Sequence, residues 1–178
     1  PMVPQSEVYK AETIVERFMI RWKGEPDPEH TKAVDAYFVS AAEHGMNAST
    51  FTARVIASTG ADAAASISGA IGALSGPLHG GAPSRVLTML DDVEKSGDPS
   101  AYVKKELDAG RRLMGFGHRV YRAEDPRARV LRRTAAELGS SRYEVAEALE
   151  KAAIEELTNR YPDRPLRTNV EFWSAAVL

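Results

Sequence analysis

Leu113-Met114-Gly115-Phe116-Gly117-His118-Arg119-Val120-Tyr121-Arg122-Ala123-Glu124-Asp125-Pro126-Arg127 is the stretch on which the reading of this chain turns. Gly110 before it signals a helix end, and Asp125 followed by Pro126 signals a helix start. The stretch is therefore a connection between two helices. Glycines on both sides of Phe116 let the backbone take dihedrals closed to other residues and approach a ligand closely. His118 follows at once, and Arg119, Arg122 and Arg127 add cations. A titratable imidazole beside a cationic cluster suits an anionic small molecule. A dinucleotide fingerprint does not fit, because its third glycine is missing and no strand pattern precedes the loop. The plain alternative is a helix-to-helix connection with solvated arginines.

Outward from that loop, the apolar spacing is helical throughout. Toward the N-terminus, Ser6 can cap one helix running through Val8, Ala11, Ile14, Val15, Phe18, Met19 and Trp22 to a stop at Gly24. Asp27-Pro28 opens a second, with Ala33, Val34, Tyr37, Phe38 and Ala41 as its stripe and His30 on its charged side, read as a surface histidine. A third is expected over 48–58, and a small-residue helix starts at Asp62. Gly69, Gly72, Ala73 and Gly76 on that helix read as close packing. A further helix is expected from about Pro83 to Lys95 with Val86, Leu87, Leu90 and Val93 inward, then a short one from Pro99. Beyond the loop, a helix from Asp125-Pro126 to Leu138 is followed by a long one started by a Ser141/Glu144 capping box. The last begins near Asn169-Val170-Glu171-Phe172-Trp173. No run alternates as a strand does, so the fold class is all-α. The apolar run that stops at Leu178 with nothing to cap it reads as a chain cut short.

Three of the four histidines sit beside glycine in expected breaks: His44 in Glu43-His44-Gly45-Met46-Asn47-Ala48-Ser49, His79 in Gly76-Pro77-Leu78-His79-Gly80-Gly81, and His118. A loop histidine at a helix end can offer a ring nitrogen to a ligand, and a helix N-terminus beside His79 would favour neutral imidazole. A three-histidine zinc site lacks the short spacings of common zinc sites. A Ser-His-Asp hydrolase lacks the Gly-x-Ser-x-Gly elbow.

Taken together, these three stretches resemble the citrate synthase family, of the type seen in bacteria, from about Glu43 to about Trp173. The resemblance implies an acyltransferase with a multi-helical fold, condensing acetyl-CoA with oxaloacetate to give citrate and CoA. It implies that His79 hydrogen-bonds the acetyl-CoA carbonyl, that His118 polarises the oxaloacetate ketone, and that His44 and Arg127 bind oxaloacetate. The backbone of Leu113, Met114, Gly115, Phe116 and Gly117 resembles the segment that holds the CoA adenine. The family's base is an aspartate in an Asn-Val-Asp context, and here Glu171 stands in that place with one extra methylene. The alternative reading of Glu171 is a helix cap. The resemblance further implies a homodimer in the cytoplasm. Residues 1–78 would belong to a large helical domain with two dimer-interface helices, and 79–178 to a small, substrate-closing domain. The chain would be truncated at both ends and inactive by itself. It also implies no metal and no permanently bound cofactor, the CoA thioester being a substrate. A 2-methylcitrate synthase using propionyl-CoA shares these motifs, since one methylene of pocket is a small energetic difference. A non-catalytic CoA-binding helical module is the rival from another class.

Composition sets outer limits. With 178 residues the chain can bury a sizeable core. The 23 Lys+Arg nearly balance 25 Asp+Glu, which argues against a general nucleic-acid binder. Without cysteine there is no disulfide or thiolate chemistry. The stretch from Ala61 to Leu78 is too rich in Ala, Ser and Gly to read as a membrane span.

Overall fold

The computed structural model describes residues 2–42, 45–76, 79, 82–118 and 124–178. Its helices are Gln5–Val8 (α1), Ile14–Lys23 (α2), Pro28–Ala41 (α3), Ala48–Ser58 (α4), Ala63–Leu74 (α5), Ala82–Ser96 (α6), Pro99–Asp108 (α7), Pro126–Glu137 (α8), Tyr143–Arg160 (α9) and Val170–Val177 (α10). Extended backbone pairs at an isolated antiparallel bridge between Phe116 and Thr168. The all-α class expected from the sequence is the class observed.

Most helix starts follow from a local side chain. Asp27, Asn47, Asp62, Asp98, Asp125 and Asn169 each accept a first-turn amide of the helix that follows. Two expectations fail. The single helix from Ser6 to Gly24 is broken, because Thr13 and Glu16 close a capping box that starts α2 afresh. Thr13 Oγ1 accepts from Glu16 N at 3.1 Å, while Glu16 Oε2 accepts from Thr13 N at 2.8 Å. The box expected of Ser141 and Glu144 does not form; Arg142 caps α9 without a side-chain bond. Ser140 does the joining there, accepting from Arg142 N at 3.3 Å and donating to Ala176 O at 2.7 Å.

The core is built around α10. Phe172 and Trp173 are fully buried against Leu90, Leu131, Leu149 and their neighbours on α6, α8 and α9. An eight-residue helix is too short to hold alone, so this burial is what keeps it helical. Trp173 Nε1 donates to Glu150 Oε1 at 2.9 Å, and Arg132 lies 3.3 Å from the other Glu150 oxygen. The indole is thus buried with its polar edge satisfied. On α6 the inward face is Val86, Met89, Leu90 and Val93. Leu87, expected inward, is exposed: at ~100° per residue it lies roughly 110° from the centre of that face.

The helices α4 and α5 form a hairpin whose extensive contacts are with each other. A Cβ at Gly69 would run into the Ile56 side chain, so the close-packing reading holds there. Phe51, Val55, Ile67 and Ile71 on this hairpin are all exposed. His30 is a surface residue, with Nδ1 3.4 Å from its own cap Asp27.

Candidate active site

The glycine loop is held by the segment that precedes α10. Gly117 N donates to Arg167 O at 2.7 Å, and Asn169 N to Gly115 O at 2.9 Å. Asn169 Nδ2 adds a bond to Gly117 O at 2.8 Å. The pairing requires the left-handed dihedrals that the sequence anticipated: Gly115 has φ +84° and Gly117 has φ +85°. At Gly115 the space is closed as well. A Cβ there would come within 2.7 Å of Phe172 Cβ and 3.0 Å of its Cα. The loop therefore presses on the backbone of α10 one residue past Glu171. Leu113 is buried beneath it, Met114 and Phe116 are half-buried, and the Phe116 ring packs on Phe172 with centroids 5.1 Å apart.

Arg127, Glu171 and His118 gather where this loop meets the first turns of α8 and α10. Arg127 is buried and held by Asp125, with Nε 2.9 Å from Oδ1 and Nη2 2.7 Å from Oδ2. Its Nη2 also lies 3.4 Å from His118 Nε2, on the exposed side of the group. Glu171 stands in the first turn of α10, but the cap is Asn169, whose Oδ1 accepts from Glu171 N at 3.0 Å. Burial pushes the Glu171 carboxyl above its ordinary value; the Arg127 charge opposes this and the Asp125 charge adds to it. Burial would raise Asp125 too. There, hydrogen bonds from the Arg127 side chain and backbone and from Val170 N outweigh it and hold Asp125 low. One site thus contains a carboxylate fixed as an anion and another made more basic, the division of labour that acid–base chemistry uses.

His79 belongs to the hairpin side. Its Nε2 lies 3.0 Å from Ser49 Oγ, which is 2.7 Å from Asn47 Oδ1, the cap of α4. His79 thereby sits against the start of α4. His44 lies outside the described residues, as do Arg119 and Arg122 of the central loop. Among the described residues no group of three His, Asp and Glu side chains gathers as a metal site. Among the described residues no helix is long and apolar enough to cross a membrane.

Three residues of this site were not singled out from sequence: Ser49, Asp125 and Asn169. Asp125 and Asn169 both carry the local signature of a helix cap, and that signature hid their second, tertiary bonds. Ser49 stood in the His44 stretch, where its nearness to His79 had no local sign.

The arrangement offers an imidazole and a guanidinium to an anion and a basic carboxylate beside them, on a glycine loop whose Gly115 and Gly117 polar atoms are taken by residues 167–169. The family model for the citrate synthase C-terminal domain matches residues 2–178. The Mycobacterium tuberculosis protein named "Putative citrate synthase 2" is 69% identical over 178 residues, covering 100% of this chain and 48% of that protein. The crystal structure of citrate synthase from Thermotoga maritima has a TM-score of 0.78 at 36% identity, covering 99% of this chain and 47% of that one. Citrate synthase from Thermoplasma acidophilum, solved with carboxymethyl coenzyme A and oxaloacetate, has a TM-score of 0.77 at 31% identity, covering 94% of this chain and 45% of that one. The chain spans about half the length of the relatives it matches. A match running from residue 2 to residue 178, in sequence and in fold alike, leaves one assignment: the chain belongs to the citrate synthase family.

Proposed function

We propose that the protein containing this chain condenses an acyl-CoA with oxaloacetate and hydrolyses the resulting thioester, releasing a tricarboxylate and CoA. The observation that carries this reading is the meeting of Arg127, His118 and a raised Glu171 at one junction. A thioester methyl is a very weak acid, so removing its proton requires a base and, at the same moment, a donor on the carbonyl oxygen. Glu171 is the base, and its burial makes it a better one. His79 is the donor. Ser49 Oγ gives its one proton to Asn47 Oδ1 and therefore accepts from His79 Nε2–H, which fixes where the imidazole stands at the start of α4. The enol carbon then attacks the ketone of oxaloacetate, whose oxygen His118 polarises and protonates while Arg127 holds a carboxylate, with His44 a further donor to the same substrate. Water attacks the citryl thioester, and CoA leaves.

The supporting parts follow the same reading. The backbone of residues 113–117 holds the adenine of CoA. Residues 1–78 belong to the large domain and 79–178 to the small one. The exposed apolar residues of the α4–α5 hairpin suit pairing with a second copy in a cytoplasmic homodimer.

The test uses the full-length protein with oxaloacetate and either acetyl-CoA or propionyl-CoA, following free CoA. The ratio of the two rates decides between citrate and 2-methylcitrate formation. Deuterium exchange into the methyl of an unreactive acetyl-CoA analogue reports the proton-abstraction step. Glu171→Gln should abolish that exchange and spare oxaloacetate binding. Undiminished exchange would show that another group is the base.

A further inference from the structure

Asp125 makes more hydrogen bonds than a helix cap requires. Capping needs one oxygen on one first-turn amide. Asp125 Oδ1 accepts from Arg127 N at 3.0 Å and from Arg127 Nε at 2.9 Å. Its Oδ2 accepts from Arg127 Nη2 at 2.7 Å and from Val170 N at 3.0 Å. The carboxylate is 1% exposed. Val170 is the first residue of α10, so one side chain at the start of α8 reaches across 45 residues of sequence to the turn that carries Glu171.

We infer that Asp125 is a positioning residue that sets Arg127 and Glu171 relative to each other, giving the acceptor-binding cation and the carboxylate base one common mount. The inference rests on the condensation reaction proposed above. By engaging Nε and Nη2, Asp125 fixes the plane of the guanidinium and so the direction from which it meets a substrate carboxylate. By holding Val170 N, it fixes where the first turn of α10 stands. A displacement of about 1 Å between such groups costs roughly 100-fold in rate. Asp125 also places a negative charge that opposes Arg127 at Glu171.

The charges acting on Glu171 are those of Arg127 and Asp125. Glu150 of α9 is taken by Trp173 and Arg132, and Asp91 and Glu94 of α6 face Arg142. Asp125→Asn keeps the shape, but its amide nitrogen must face the guanidinium in either orientation, together with Arg127 N in one and Val170 N in the other, donor against donor. It also leaves the Arg127 charge uncompensated beside Glu171.

The experiment measures kcat, the KM for oxaloacetate and the pH–rate profile in the full-length protein, per mole of folded enzyme. Asp125→Asn should lower kcat about 100-fold, raise the oxaloacetate KM at least about 10-fold, and move the acid limb of kcat to lower pH. Asp125→Glu retains the charge with one extra methylene. It should leave the acid limb in place while kcat falls about 10-fold. Glu150→Gln alters another buried carboxylate under the same helix and should keep the wild-type KM and acid limb. Wild-type kcat, KM and acid limb in Asp125→Asn would overturn the inference and leave the proposed reaction standing. So would the same losses appearing in Glu150→Gln. If Asp125→Asn does not fold, Asp125→Glu decides, and a wild-type kcat there overturns the inference. A wild-type protein with no turnover on either acyl-CoA overturns the reaction and the inference together.

Discussion

At the junction of residues 113–118 with α10, Phe172 and Trp173 are fully buried, and the polar atoms around them are paired with Asp125, Asn169 and Glu150. In the α4–α5 hairpin, Phe51 and Ile67 are each 59% exposed and the extensive contacts stay within the pair. The two regions hold opposite halves of one proposed site. Glu171, Arg127 and His118 are mounted on the chain's main core, whereas His79 is mounted on an element that packs chiefly on itself. The difference teaches that the proposed base and anion site are positioned by this chain's own core. The proposed enolising donor is positioned by a Ser49–His79 hydrogen bond at a lightly supported hairpin.

The largest effects should appear in turnover and should not distinguish the halves. In the full-length protein, His79→Ala and His118→Ala are each expected to lower kcat by at least about 100-fold with the circular dichroism unchanged. Near-normal turnover in either variant would remove that half from the site. Stability should separate the two regions sharply. In the 178-residue chain, Phe172→Ala is expected to cost about 3–5 kcal/mol in urea unfolding. Phe51→Ala should stay within about 0.5 kcal/mol. Equal costs would break the comparison. Gly115→Ala should cost about 2 kcal/mol, from the left-handed backbone and the contact with Phe172. It should also push Glu171 away from Arg127, visible as a raised oxaloacetate KM in the full-length protein.

The smallest effect is in the pH dependence of stability, and there the two carboxylates of the junction act with opposite signs. Asp125 is held low, so the stability it contributes is complete above its unfolded pKa of about 3.9 and is lost as pH falls through its lower folded value. Glu171 is raised, so the native state keeps a proton that the unfolded chain releases above about 4.3. Its contribution is therefore present below that pH and lost as pH climbs through the folded value. Glu171→Gln should flatten the decline on the upper side and leave the acid-side loss in place. Urea unfolding at closely spaced pH values between 3 and 7 would show it, and an unchanged profile would mean that Glu171 is not desolvated.

Where the sequence was legible, the cause was local. The starts of α4 and α5 were readable because Asn47 and Asp62 cap the helix beside them, and the glycines flanking Phe116 announced their own dihedrals. Thr13 was equally local and was passed over, because the apolar spacing from Val8 to Trp22 runs straight through the break. Leu87 could not be placed by composition, since the direction of a helix face is set by the neighbours it meets. The family motif brought Glu171, Arg127 and His118 forward as separate residues. Asp125, which ties two of them together, was hidden because its bond to Val170 N joins segments 45 residues apart. Ser49 was hidden for the same reason, 30 residues from His79.

The antiparallel pairing of the glycine loop with Arg167–Asn169 also orders events in time. Gly117 and Asn169 are 52 residues apart, and synthesis at ~5–20 residues per second separates them by roughly 3–10 s. Over that interval α8 and α9 can form from their own local signals. Meanwhile the carbonyls of Gly115 and Gly117 are bonded to water, and Arg127 has no α10 beside it. The proposed anion site therefore forms only once Asn169 has been made, later than α8 and α9, and a growing polypeptide passes through a window in which these helices exist but the site does not.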